Sequence, residues 1–497
     1  MDSHRKRGWK SWLAISLGIA ILVAWLAYAK VFFTRVHPKT GDILTPEVQK
    51  LAQEEIQEEW FAIYQHGKRT GYSRSELRPQ PDGYLLNEEL FLRLNFLEQI
   101  QDVSSRVRAI LEPDFSLKSF TFQLQAGPIT YRLKGGVKAG NLILVSQMAG
   151  QEQSQKLPLS QPIYLSGGMK SFISQQALKV GNNYKLTLFD PATMSQTMVP
   201  LRVEGKETVQ VRGRDLEAYR VVMNFHGVQL KSWVSPYGEL LKEEGFLGLS
   251  MVRSDREDAL EEFREVKAAE LVREAAVIPD RPIAKPRQLQ RLRLQLKGIT
   301  GKDWDLAGGR QHWSEGELTI VQESLEEIPP RKIPMASAAL AQDLQPTLLV
   351  QSDAAILKKK AAEIVGEETD ALRAARLIGS WVYHNLDKRP TLSIPNALAV
   401  YEMRAGDCNE HSVLFAALAR AAGIPTRIVV GLLYSEDRFF YHAWNEVYLG
   451  EWIAVDPLMN QVPADPTHVR LVIGGLDRQV QLVRTLGRLS IMVLDYE

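Results

Sequence analysis

Asp407-Cys408-Asn409-Glu410-His411-Ser412-Val413-Leu414-Phe415-Ala416-Ala417-Leu418-Ala419-Arg420-Ala421-Ala422-Gly423-Ile424-Pro425 reads as a helix with both of its ends written into it. Asp407 and Glu410 have the N-cap and N3 spacing of a capping box, in which each side chain takes a backbone N–H near the other residue. Gly423 supplies a stop, and Pro425 cannot continue the helix. The middle is rich in alanine and leucine, which lose little on entering a helix. Cys408 falls at the first helical position, where unpaired N–H groups and the positive end of the macrodipole favour a thiolate. It is also the chain's one cysteine. An intrachain disulfide is therefore excluded, as is any multi-cysteine zinc or iron–sulfur site.

A cysteine near pKa 8.5 is only a few per cent thiolate at pH 7. Making the thiolate the majority form takes about two pH units, or about 2.7 kcal/mol. A helix terminus is worth roughly 0.3–1 kcal/mol at exposed sites, so a nearby imidazolium is expected to supply the rest. His442 is the candidate. Phe439 to Leu449 reads as a strand and Trp452 to Asp456 as the next, with Gly450 in the turn between. A two-residue loop, Gly450-Glu451, would put His442 and Asp456 on opposite faces. A three-residue loop, Tyr448-Leu449-Gly450 with Gly450 left-handed, would set His442 directly opposite Asp456. The second is the predicted loop; Asp456 would then hold the imidazole's tautomer.

These residues resemble the transglutaminase-like domains of the papain-like cysteine-enzyme superfamily. The likeness runs through Ala405-Gly406-Asp407-Cys408-Asn409-Glu410-His411, through Ala416-Ala417-Leu418-Ala419-Arg420-Ala421-Ala422-Gly423-Ile424-Pro425-Thr426-Arg427, and then through His442-Ala443-Trp444-Asn445-Glu446 and Trp452-Ile453-Ala454-Val455-Asp456-Pro457. It implies a nucleophilic Cys at a helix start, with His and Asp on successive strands, and so catalytic roles for Cys408, His442 and Asp456. Leu458 departs from the pattern, since many members have Thr after Asp-Pro. The resemblance implies acyl transfer or hydrolysis at peptide or amide bonds of a protein or peptide substrate in the cell envelope, with no metal and no organic cofactor. No EF-hand-type calcium loop is present, so the calcium dependence of animal relatives is not expected.

Working outward, the 497 residues suggest roughly three domains. Apolar residues at 45% and charged residues at 24% exclude a disordered or polytopic membrane chain. Sixty Lys+Arg against 59 Asp+Glu leave +1, which gives no field for a nucleic-acid partner. Ser11 to Ala29 carries no charge and has Trp9, Trp12, Trp25 and Tyr28 at its ends. At about 28 Å of helix it predicts a single transmembrane signal anchor. Ahead of it are Arg5, Lys6, Arg7 and Lys10, which favour a cytoplasmic tail (1–10) and an inner-membrane protein with a periplasmic body. Ala27-Tyr28-Ala29 keeps open a secreted form after signal-peptide cleavage. The expected order continues with a tether (30–45), a β-rich exported domain (46–256), and a helical connector with a small β module (257–345). A transglutaminase-like α+β domain (346–470) and C-terminal strands (471–497) complete it. The expected class is therefore α+β with one N-terminal transmembrane helix.

Within the β-rich part, turns are expected at His66-Gly67, Pro81-Asp82-Gly83, Gly135-Gly136, Gly205-Lys206, Gly213-Arg214 and Tyr237-Gly238, with a short helix near Lys170 to Ala177. Ser352-Asp353 and Asp370 are expected to cap two helices ahead of the cysteine, with Asn396 to Met403 a short third. A lone cysteine is most often a small buried hydrophobe, and it is the capping box with the downstream His and Asp that reverses this for Cys408. His411, one turn on, lacks a second thiol to make a zinc site and is expected on the helix surface or beside the site. Trp381 is expected in the core, and Trp444 and Trp452 as packing. His312, His384 and His468 have no ligand-spaced partners and are given no role. The alternative reading is a non-catalytic envelope binding or scaffold protein built on a papain-like module.

Overall fold

Alternate apolar residues make strands, and in the first half of the chain they build one continuous sheet of fifteen. The computed structural model describes residues 57–497, apart from 97–98, 127–128, 149–150, 168–177, 226–227, 246–247, 262–274, 300–302, 336 and 390–393. The chain divides at 270/271 into two compact units.

In the first unit, eight strands from Gln57–Gln65 to Gln151–Pro158 each pair with the next in sequence. A second run leads back from Leu249–Ser254 to Asn183–Asp190 and Ile163–Tyr164, and Gln57–Gln65 joins the runs by pairing antiparallel with Leu249–Ser254. In Ser195–Val211 the period of two is plain: Val199, Leu201, Val203, Val209 and Val211 are buried, with exposed residues between them. Reversals fall at His66-Gly67, Pro81-Asp82, Arg212-Gly213 and near Tyr237-Gly238, so Gly83 and Arg214 of the expected signals already begin strands. Two other signals are not turns. Gly135 and Gly136 lie inside the strand Ile129–Lys138, where a Cβ on Gly135 would sit 2.1 Å from the Phe120 ring across the ladder. That glycine makes room for an aromatic. Gly205 lies inside Ser195–Val211, where the register shifts against Arg214–Phe225, so it marks a bulge. The helix expected near Lys170 to Ala177 lies outside the described residues, as do residues 262–274 of the expected helical connector; Arg256–Glu261 is helical.

The expected class needs correcting. Among the described residues strand accounts for 51% and helix for 19%, so what is described is strand-rich rather than α+β with a spanning helix. The cause is the first unit, which is almost entirely ladder. The span expected at 11–29 lies outside the described residues, and no described helix is long and apolar enough to cross a membrane. The longest, Ala371–Asn385, has 15 residues. That is about 22 Å of helix against roughly 30 Å of hydrocarbon. The single-pass inner-membrane placement, with its signal anchor, is therefore not supported by the described residues.

In the second unit, helices Ala355–Val365, Ala371–Asn385 and Ala397–Met403 pack against a fourth, Cys408–Ala421. Asp370 caps the second by accepting the Arg373 N–H, and Asn396 caps the third by accepting the Ala399 N–H. The first begins after Ala354 with no side-chain cap, so Ser352-Asp353 does not serve it. The fourth helix is buried from Cys408 through Ala419 and lies against a sheet ordered Trp452–Val455, Arg438–Tyr448, Thr426–Ser435, His468–Ile473. Trp381 is half-buried, not core, with the Arg404 guanidinium 4.7 Å from its ring centre. A smaller sheet is ordered Gln311–Ser314, Glu317–Val321, Arg291–Lys297, Ser490–Tyr496. Leu292, Leu294 and Leu296 are buried along it.

Candidate active site

The start of the cysteine helix forms as its residues dictate. Asp407 Oδ1 accepts the Asn409 N–H at 2.9 Å, Glu410 Oε2 accepts the Asp407 N–H at 3.0 Å, and the capping box is complete. Gly406 is needed beside it, because a Cβ there would lie 2.2 Å from Glu410 Cβ. Cys408 is the first residue of the helix and is 1% exposed. Its Sγ accepts the backbone N–H of Ala443 at 3.3 Å, which ties the sulfur to the residue following His442.

The hairpin keeps the expected parity but not the expected place. Tyr448 pairs with Trp452 and Asn445 with Val455, so the loop is the three residues Leu449-Gly450-Glu451, one position later than predicted. Gly450 has φ 107°, and the Leu449 N–H donates to the Glu451 carbonyl at 2.8 Å. Extending this register puts Trp444 across from Asp456. His442 is two residues away on the same face, so it reaches Asp456 diagonally. Its Nε2 lies 2.7 Å from Asp456 Oδ2.

A carboxylate can only accept, so His442 Nε2 carries the proton and the neutral ring keeps its lone pair on Nδ1. Nδ1 has no hydrogen-bond partner among the described residues. Burial pushes His442 below the ordinary imidazole range, and the nearby His468 and Arg287 charges push the same way; Asp456 opposes them. The preformed imidazolium expected from the sequence is thus not the resting state that burial favours. Asp456 itself is buried, a cost to its charge, yet its two histidine partners hold it ionised, well below the usual carboxylate range. Its Oδ1 accepts the Leu458 and Met459 N–H groups at 2.8 and 3.0 Å. Leu458 thus serves the site through its backbone, which is indifferent to the side chain at that position.

Sequence reasoning missed His468. It is fully buried, and its Nε2 lies 2.9 Å from the same Asp456 Oδ2. Twelve residues and an irregular loop separate the two, so no fixed spacing announces the contact. The legible hint was Asp465, three residues earlier, whose carbonyl lies 3.1 Å from His468 Nδ1. His442, Asp456 and His468 could offer three ligand atoms within 4.8 Å of one another. However, atoms bound to one tetrahedral zinc at about 2.0–2.1 Å lie about 3.3 Å apart. The 2.7 and 2.9 Å separations here are those of direct hydrogen bonds. His411 is not on the helix surface. It is buried, with Nδ1 2.7 Å from the Asp407 carbonyl, and burial pushes it down to about 4. Lys388, whose strand residue pairs with Gly406, is pushed down to about 8 by burial, against the attraction of Asp456. Trp444 stacks on His442 with ring centres 6.1 Å apart, and Trp452 carries the Arg427 guanidinium at 4.0 Å.

Comparison with known proteins matches residues 358–457 to the transglutaminase-like superfamily. An uncharacterised protein of Haemophilus influenzae is 30% identical over 119 residues, or 23% of this chain and 32% of that one. The chain therefore spans about a third of the curated relative it matches. Among solved structures, a Cytophaga hutchinsonii protein named provisionally as a cysteine protease is 18% identical, with TM-score 0.28, covering 42% of this chain and 86% of its own. A β-barrel-like protein of a domain family of unknown function from Brucella abortus is 14% identical, with TM-score 0.31, covering 40% and 94%. Both scores are too low to establish a shared fold. The stretch that carries the cysteine helix and the histidine hairpin, residues 358–457, is a transglutaminase-like domain.

Proposed function

We propose that the second unit is a papain-like thiol enzyme acting on peptide or amide bonds, with Cys408 as nucleophile, His442 as base and acid, and Asp456 as the anion that orients the ring. The observation that carries this is the bare Nδ1 of His442, on a ring held by Asp456 and on a strand whose next N–H grips Cys408 Sγ. In this reading the resting pair is neutral. As Sγ attacks a carbonyl carbon, its proton passes to Nδ1 and the C=O becomes an oxyanion. The backbone N–H of Cys408, at the positive end of its helix, would receive that charge. Collapse expels the amine with the proton from Nδ1 and leaves a thioester. Water then gives hydrolysis, and a second amine gives transfer.

Alkylation by iodoacetamide from pH 4 to 9 tests the pair without a known substrate. The unmodified protein is expected to label at Cys408 about a hundredfold faster than His442→Ala near neutral pH, the ordinary size of a general-base contribution. Equal rates would overturn the reading. A glutamine peptide with a fluorescent amine then separates transfer from hydrolysis, with Cys408→Ala inactive in both. A non-catalytic binding module is the second reading, favoured by the 1% exposure of Cys408. It predicts slow labelling that is indifferent to His442.

A further inference from the structure

Both ring nitrogens of His468 face atoms that can only accept. Nδ1 lies 3.1 Å from the Asp465 carbonyl and 3.5 Å from Asp465 Oδ1, and Nε2 lies 2.9 Å from Asp456 Oδ2. A ring with two acceptors needs two protons and is a cation. Its surroundings are arranged for that charge. Asp465 Oδ2 accepts Arg287 Nη1 at 2.8 Å and Gln461 Nε2 at 3.0 Å, while Thr467 holds Oδ1. The result is a series of alternating sign that runs from the half-buried Arg287 to the buried Asp465, His468, Asp456, and then His442 at its end. The His442 and His468 rings are 5.7 Å apart, and Trp444 packs against both.

We propose that His468 is a positioning residue for the site: a fixed imidazolium that shares Asp456 Oδ2 with His442, locks that carboxylate in place, and keeps His442 a weaker base than an undivided Asp–His pair would make it. This rests on the thiol–imidazole reading of Cys408 and His442. The physical argument is one of division. Asp456 brings one negative charge to a buried site, and His468 neutralises much of it before His442 does. A His442 proton therefore meets a carboxylate already engaged and a second cation beyond it. His442 then stays neutral near pH 7, with Nδ1 able to accept the thiol proton, and gives that proton up readily to a leaving amine. The other charges facing these rings are Arg287 through Asp465, and Lys388 and His411 near the cysteine end; each is cationic or neutral, so none replaces the Asp456 charge that His468 takes.

The test reads His442 through its neighbour's reactivity. Iodoacetate, an anion, is favoured over iodoacetamide at Cys408 only while His442 is protonated, so the ratio of the two rates falls as that proton leaves. In His468→Gln, which can still donate to Asp456 but carries no charge, the midpoint of this fall is expected to rise by about one to two pH units. Loss of a merely structural residue would lower both rates and leave the midpoint where it was. An unchanged or lowered midpoint overturns the proposal. A ratio in the unmodified protein that ignores pH, and ignores His442→Ala, sinks the thiol–imidazole reading instead. Should His468→Gln not fold, nitrogen NMR of histidine-labelled full chain decides the matter. Both His468 nitrogens must carry protons at pH 7, and one bare nitrogen overturns the assignment.

Discussion

Three buried histidines within one site titrate in different directions, and folding stability must follow. His411 and His442 are held below the ordinary imidazole range by burial, while His468 is held above it, burial notwithstanding, by its carboxylates. A depressed histidine leaves the unfolded chain binding a proton that the folded chain refuses, so stability falls as the pH drops below about 6.5. A raised histidine does the reverse: its contribution is full below about 6.5 and is lost as the pH climbs through the folded value. His411, pushed down to about 4, is expected to cost roughly 3 kcal/mol between pH 7 and pH 4. Urea unfolding of the full chain and of His411→Leu at the two pH values checks this. The Asp407 carbonyl keeps the backbone N–H of residue 411 at 3.0 Å, so the variant leaves no orphan there. Identical slopes with pH in the two proteins would refute the assignment.

At the scale of elements, the approach of strand His468–Ile473 to its neighbour depends on a missing side chain. Gly431 pairs with His442 on one side and Arg470 on the other, at a point where the register shifts. A Cβ there would lie 1.9 Å from the Val469 carbonyl oxygen, a backbone atom that cannot step aside. Gly431→Ala is expected to lose about 1–3 kcal/mol, the usual cost of overpacking, and to displace His468 from Asp456. Denaturant unfolding reads the first effect, and the iodoacetate-to-iodoacetamide ratio reads the second. Gly136→Ala, whose nearest atoms are 3.9 Å away, should change stability little and serves as the control. Hairpin parity and the capping box were legible because each is set by residues a few positions apart. The place of the loop was not: moving all three residues by one preserves parity, and Gly450 fits either the last or the middle position.

For the whole molecule, the sequence marks where strands are but not how they join. The pairing of Trp60 with Ser254 closes the fifteen-strand order across most of the first unit, and no local pattern encodes it. Gly135 and Gly205 carry the same letter as a turn glycine; only Phe120 across the ladder, or a shifted register, tells them apart. His468 was hidden for the same reason, its partner being set by the return path of a loop. Long-range pairing also decides the small sheet, where Arg291–Lys297 is flanked by Glu317–Val321 and by Ser490–Tyr496. Deleting residues 490–497 should strip hydrogen-exchange protection from Arg291–Lys297 and expose Leu292, Leu294 and Leu296. Retained protection would show that the last strand is dispensable.

That same sheet has a history during synthesis. Arg291–Lys297 emerges long before Ser490–Tyr496, so at about 5–20 residues per second the ribosome leaves one of its edges open for roughly ten to forty seconds. An open edge invites pairing with another nascent chain. Arg291, Arg293 and Lys297 alternate with its buried leucines, and until the final strand arrives, mutual repulsion of these cations between neighbouring polysomal chains is what guards the gap.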